Sequence, residues 1–357
     1  MLRNPLALVA LVAALSSTAQ AQLQPVAAEP MTVSCDDLDL PSLAEAIERE
    51  LPAFERSTAT LTGTATTARD YAARVLRPIL ALAKAPRPDA RAQLCGTLQY
   101  SMKWLHVGAG HVLFTAYHTP TVRGSLTRDA TYHWPLYRRP KDAAAHDTTA
   151  QILGGALAGR GLELVWLADP YDALALHVEG AGVVTLPDGR AFPVGSDGHN
   201  GQPYQNVSKL LIADGKLPPG PAPPSHAPGN PKARAYFAAH PADLDVYWGR
   251  NPHFVFFRSV AHAGGGKYGA LVAGRSVAVD EAHVPMGALV YVRAQKPVVA
   301  GGVITGWQPM TRVVLGQDTG AGIRGQRMDV YFGDDEVALA AAKAMTVQGD
   351  AWVLMPK

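Results

Sequence analysis

The sequence predicts a mainly β protein with helices gathered near its N-terminus, and three observations predict it. Apolar residues recur at sustained helical spacing before about residue 105. From Gly110 the chain breaks into short β-branched and aromatic runs separated by Gly, Pro and Asp. After that point only two segments, Lys232 to Ala239 and Asp334 to Met345, read as helices.

Taken in order, the chain opens like an export leader: Arg3, an apolar run from Leu6 to Leu15, then Ala19-Gln20-Ala21 as a peptidase-type cleavage site. Residues 1–21 are expected to be removed, leaving a chain that starts at Gln22. The apolar run is far shorter than the roughly 20 residues that span a bilayer, and no later segment is long and apolar enough. No cysteine stands at the cleavage point and no twin-arginine pair precedes the run. A soluble periplasmic protein without a lipid anchor is therefore expected.

Leu43 to Phe54 and Ala68 to Leu82 read as helices, the second with Tyr71, Val75 and Ile79 on one stripe, and a third is expected from Asp89 to Leu105. His111 to Tyr117, Leu162 to Leu167 and Ala173 to Leu186 read as strands. Leu186-Pro187-Asp188-Gly189-Arg190 is a turn signature and predicts a hairpin. Leu217 to Pro231 holds seven prolines in fifteen residues, which forbids regular structure and predicts a surface loop. Further strands are expected at His253 to Val260, Ser276 to Val279, Leu289 to Arg293, Arg312 to Leu315 and Ala351 to Leu354. No internal repeat is visible.

With 357 residues, 48% of them hydrophobic, the chain can bury a substantial core in two domains or one large one. Its formal charge of +2 includes Arg3 of the leader, so the mature chain is close to neutral and no nucleic-acid partner is expected. Cys35 and Cys95 are the only cysteines, and in an exported chain they are expected to pair.

Several motifs can be set aside. Gly264-Gly265-Gly266-Lys267 lacks the upstream glycine of a phosphate loop, and Tyr268 stands where a hydroxyl should reach magnesium. His106 with His111, or His262 with His283, lacks the i, i+4 spacing of a helical metal pair, so neither metal nor cofactor is expected. No Gly-x-Ser-x-Gly elbow occurs. What remains is a set of aspartates ending or interrupting apolar strands: Asp280, Asp318 and Asp329. In Met328 to Phe332 the period of two places Met328, Val330 and Phe332 on one face and Asp329 with Tyr331 on the other. Aspartates that only cap turns would also fit this composition.

Separated blocks in shared order narrow the choice. Thr115-Ala116-Tyr117-His118-Thr119-Pro120, Gly198-His199-Asn200-Gly201-Gln202-Pro203-Tyr204 with Lys209-Leu210-Leu211, Asn251-Pro252 through Phe256-Phe257-Arg258, Gly274-Arg275-Ser276, and Gln317-Asp318-Thr319-Gly320 through Gly325 to Asp329 are the blocks. From about Gly110 to the end, the chain resembles the membrane-bound lytic murein transglycosylase A family. The resemblance implies a double-psi β-barrel built from residues 22–120 and 251–357, with a smaller β-domain, residues 121–250, inserted to form the other wall of a glycan groove. It implies that peptidoglycan strands are the partner and that Asp329 is the sole catalytic acid, supported by Asp318 and Asp280. Glycan contacts are expected at Tyr117, Thr119, Asn200, Tyr204, Phe257, Gln317, Thr319 and Gly320, in a monomer. The chain departs from the family pattern at His118, at Asn206-Val207-Ser208, at Ala321 and at Asp334-Asp335-Glu336.

A lone acid suits this chemistry. Most glycosidases need two carboxyl groups. A lytic transglycosylase needs one, because the substrate's own C6 hydroxyl closes onto C1 to give a 1,6-anhydro product. The acid must then hold its proton before cleavage, so burial or a neighbouring carboxylate is expected to raise the pKa of Asp329, with Asp318 as the neighbour. Two alternatives stand beside this reading. Asp318-Thr319-Gly320-Ala321 matches an aspartic peptidase tetrad, but such enzymes need two and only one Asp-Thr-Gly occurs. A barrel that binds glycan without cleaving it is the other.

Overall fold

The computed structural model of the chain describes residues 23–26, 35–219, 231–320 and 322–357. The expected leader, the bulk of the proline-rich connection and Ala321 lie outside the described residues.

The helices come first and pack on one side of the barrel. Leu40–Arg56 starts at Asp39, whose side chain accepts from the Ser42 N–H at 2.8 Å, and Pro41 occupies the first turn, where its missing N–H costs nothing. This helix buries Leu43, Ile47 and Phe54. A second helical stretch, Ala68–Tyr71 through Ala72–Leu76 to Arg77–Ala83, buries Tyr71, Val75 and Ile79 as the expected stripe. The third, Ala90–Ser101, ends earlier than the spacing suggests, because Met102–His106 is a strand. Cys95 on this helix bonds to Cys35, with Cα atoms 5.5 Å apart. Closing a loop over a separation of 60 residues stabilises the fold by about 4 kcal/mol on the chain-entropy argument.

The strands fall into two large sheets. β1 (Gln24–Val26), β2 (Met102–His106) and β3 (Val112–Tyr117) precede a run of six: β4 (Thr121–Ser125), β5 (Trp134–Tyr137), β6 (Glu163–Leu167), β7 (Ala181–Thr185), β8 (Ala191–His199) and β9 (Val255–Ser259). A small ribbon of β10 (Gly265–Gly266) and β11 (Gly269–Ala270) follows. Then come β12 (Ser276–Val279), β13 (Leu289–Ala300), β14 (Val303–Asp318), β15 (Arg327–Tyr331) and β16 (Thr346–Pro356).

β16, β13, β14, β12, β15 and β3 close into a ring, since β16 pairs with β3 as well as with β13. Two of its pairings, β12 with β14 and β15 with β3, are parallel. This is a double-psi β-barrel, extended along β16 by β2 and β1. The second sheet runs β5-β6-β4-β7-β8-β9 and has its own apolar core around Leu136, Val165, Phe254 and Phe256.

Three expectations change. Met102–His106 pairs with β16, a partner more than two hundred residues away that local spacing cannot reveal. The run Ala173 to Leu186 divides into a helix, Pro170–Glu179, and β7. Asp169 caps that helix, Pro170 opens it, and Gly180 ends it in the left-handed conformation at φ 73°, which glycine adopts without a Cβ clash. A continuous apolar run does not distinguish strand from helix by period alone. Lastly, β9 is the edge of the second sheet, so the chain returns to the barrel later than residue 251. The hairpin at Leu186 to Arg190 is present, with Thr185 opposite Ala191.

Candidate active site

A groove of about 1430 Å³ opens between the barrel and the second sheet. Its barrel wall is built on β3, the end of β14 and β15. Met328 and Val330 point into the barrel core, so Asp329 between them faces out into the groove. β15 lies between β12 and β3 and sets Asp329 opposite Ala278 on one side and Thr115 on the other.

Two hydroxyls two residues apart on β3 serve two carboxyls. Thr115 Oγ1 donates to Asp329 Oδ1 at 2.7 Å, and Tyr117 Oη donates to Asp318 Oδ2 at 2.7 Å. The Thr319 N–H also donates to Asp318 Oδ1 at 2.8 Å. Arg327, itself on the groove wall, braces the arrangement, donating to Thr115 Oγ1 at 3.1 Å and to the Gly322 carbonyl at 3.0 Å. Burial raises the Asp329 carboxyl above the ordinary aspartate range, against the hydrogen bond from Thr115 and the charge of Arg327, while Asp318 adds a smaller upward push. Asp318 is also raised by burial, opposed by its bonds from Tyr117 and Thr319.

Asp280 is placed differently. Its Oδ2 accepts the Gly325 N–H at 2.8 Å and its Oδ1 accepts the Ala282 N–H at 3.1 Å, so it holds the far end of the Gly320 to Gly325 turn. Burial works to raise its pKa, but those N–H donors with His283 and Arg324 outweigh it, and the carboxyl stays below the ordinary range. It does not line the groove.

Of the expected glycan contacts, Tyr117, Thr119, Tyr204, Thr319 and Gly320 line the groove. Asn200, Phe257 and Gln317 do not, and their readings are corrected. The Asn200 amide is consumed by the backbone, donating to the Asp147 and Pro252 carbonyls at 2.8 and 2.7 Å and accepting the Phe254 N–H at 3.0 Å. Phe257 is fully buried in the core of the second sheet. Gln317 alternates with Asp318 along β14 and points the other way, where its Nε2 donates to the Ala46 carbonyl and to Glu50 and its Oε1 accepts from Ser276.

The sequence reading missed several groove residues. Thr115 and Arg327 fall within the sequence blocks that carry the resemblance, yet nothing in those blocks marks either as part of the site. His118 lies in the groove wall, its imidazole held down to about 4 by burial and by Lys343. The second sheet's side contributes Glu179, at the end of the helix Pro170–Glu179, whose carboxyl is pushed up to about 8 by burial and by Asp329. A run read as a strand gave no signal for it. Among the described residues no three His, Cys, Asp or Glu side chains gather to hold a metal ion.

The chain matches two family descriptions, the MltA specific insert domain over residues 113–258 and the 3D domain over residues 275–355. It is 29% identical over 258 residues to the membrane-bound lytic murein transglycosylase A of Escherichia coli K12, covering 70% of this chain and 68% of that protein. The structure of E. coli MltA with bound chitohexaose superposes with a TM-score of 0.73 at 24% identity, over 93% of this chain and 94% of that one. A lytic transglycosylase of Burkholderia pseudomallei, LtgG, superposes with a TM-score of 0.59 at 28% identity, over 94% and 96%.

Proposed function

Because the chain belongs to the membrane-bound lytic murein transglycosylase A family, we propose that it is a peptidoglycan lytic transglycosylase that cleaves the β-1,4 bond between MurNAc and GlcNAc and leaves 1,6-anhydro-MurNAc ends, with Asp329 as its single acid and base. The observation that carries this is Asp329 itself: its carboxyl faces a long groove, is held by Thr115, and is raised by burial above the ordinary aspartate range, the direction a proton donor needs.

The steps balance on that one group. Asp329 gives its proton to the bridging oxygen as the bond from MurNAc C1 to that oxygen breaks. The resulting carboxylate takes the proton of the sugar's C6 hydroxyl as that oxygen bonds to C1. Asp329 ends protonated, ready for the next bond, and no water is consumed. The attacking hydroxyl is already tethered to the reacting ring, which supplies the proximity a second protein group would otherwise provide. Asp318, fixed by Tyr117, supports the proton of Asp329 by its position, and Asp280 acts at one remove by anchoring the Gly320 to Gly325 turn. Work on such a substrate is set in the periplasm; no helix among the described residues is long and apolar enough to cross a membrane.

The test is digestion of isolated sacculi by the chain from Gln22 to Lys357, read by mass spectrometry. Anhydro-muropeptides are expected, and Asp329→Asn should lower their release by about 10²- to 10⁴-fold with glycan binding and folding intact. Products heavier by one water would instead make the protein a lysozyme-like hydrolase. Binding with no released fragment from the unaltered chain would make it a glycan-binding barrel.

A further inference from the structure

The second wall of the groove holds a carboxyl that the single-acid chemistry leaves unused. Glu179 is the last residue of the helix Pro170–Glu179, and it lines the same groove as Asp329. No hydrogen bond or ion pair joins its side chain to another described residue. Lys209, Arg258, Arg327 and Lys343 line the same groove, and none of them is bonded to Glu179.

Its place also disfavours a negative charge. The carbonyl end of a helix carries partial negative charge, and a carboxylate in the last turn is repelled by it. Burial and the Asp329 carboxyl act in the same direction, and the group is raised to about 8. The balance at neutral pH thus favours the carboxylic acid, with an O–H to donate and no acceptor bonded to it among the described residues. A glycan strand supplies acceptors in quantity: acetamido carbonyls, ring oxygens and bridging oxygens. Tyr204, from the adjoining segment of the same wall, also lines the groove.

We propose that Glu179 is a substrate-contacting residue of the second wall, donating a hydrogen bond to an acetamido or ring oxygen of a sugar at the bond that Asp329 protonates and so holding that sugar across the groove. The proposal rests on the reading of the groove as a glycan site. It assigns Glu179 no proton transfer in the reaction: its proton stays on the carboxyl, and its contribution is to where the sugar sits.

Glu179→Gln and Glu179→Ala in the full mature chain test this, with release from sacculi and calorimetric binding of an N-acetylglucosamine hexamer as the two readouts. Glutamine keeps an N–H donor, so Glu179→Gln should stay within about threefold of the unaltered chain in both. Glu179→Ala should raise KM and weaken hexamer binding by about tenfold, with kcat moved less. Matching thermal melts establish that both variants fold. Unchanged KM and unchanged hexamer affinity in Glu179→Ala would overturn the contact. Glu179→Gln falling as far as Glu179→Ala would overturn donation, because an ionised carboxylate would then be the working form. An unaltered chain that binds the hexamer yet forms no anhydro product would remove the transglycosylase reading, while the variants' binding would still decide the contact.

Discussion

In the barrel half, Arg275, Arg312, Asp36, Glu50 and Gln317 are buried among the apolar side chains, whereas the second sheet buries Phe254, Phe256, Phe257 and Trp248 around His177. The connectivity of the two halves explains the contrast. The second sheet comes from one nearly continuous stretch, and its core is built mainly of aromatic and aliphatic side chains. The barrel joins segments that are far apart in the chain: Arg275 Nη1 meets Asp36 Oδ2 at 2.6 Å across 239 residues of sequence, and Arg312 Nε meets Asp37 Oδ1 at 2.6 Å across 275. Apolar contacts tolerate small shifts of one segment along another. A bonded guanidinium does not, and the same barrel strands must hold Thr115 and Asp329 in register.

The largest expected effect tests that seam. Asp36 also accepts the Leu38 and Val313 N–H groups, at 3.0 and 3.2 Å, so Asp36→Ala leaves both N–H groups without that acceptor and the buried Arg275 without its counter-ion, with only Ser42 Oγ and the Asp39 and Val313 carbonyls still accepting from it. A loss of about 3–5 kcal/mol in urea unfolding is expected. A loss under about 1 kcal/mol would mean that the ions are incidental and that apolar packing sets the barrel as it sets the second sheet.

Glu50 sharpens the contrast through pH. Its Oε2 accepts from Gln317 at 3.1 Å, its Oε1 has no partner, and burial raises it well above the ordinary glutamate range. The folded state thus binds this proton more tightly than the unfolded one. Its effect on stability is absent below the unfolded value near 4.5 and becomes a loss as pH rises from there towards the folded value. The loss runs at about 1.4 kcal/mol per pH unit while one proton separates the states. Glu50→Gln should flatten that slope, matching the unaltered chain near pH 4 and exceeding it in melting temperature at pH 9. Parallel curves would show that another group makes the barrel sensitive to alkali.

How much of this was legible depended on the range of the deciding contacts. Asp329 could be placed because alternation within five residues of β15 turns it away from Met328 and Val330. The helical stripe of Tyr71, Val75 and Ile79 was legible for the same reason. Strand β2 was not, since its partner is the C-terminal strand. Motif blocks marked Asn200, Phe257 and Gln317 as mattering, but a motif does not say whether a side chain meets ligand or backbone, and all three turn inward. Gln317 had a local clue, because it alternates with Asp318. Glu179 had none: its exposure to the groove follows from how the second sheet docks beside the barrel.

The smallest effect concerns Thr115, which links the barrel's register to its chemistry. The hydroxyl donates to Asp329 Oδ1 and so favours the ionised form, opposing burial. Thr115→Val removes that donor while keeping the branched shape that β3 packs, and the Asp329 carboxyl should rise further. Activity that requires its proton should then persist to higher pH, moving the alkaline arm of the rate profile up by about one unit or less, equivalent to about 1.4 kcal/mol at most. An arm that moves down, or not at all, would mean that the titrating acid is a different carboxyl, and Asp318, untouched by Thr115, would be the first to examine.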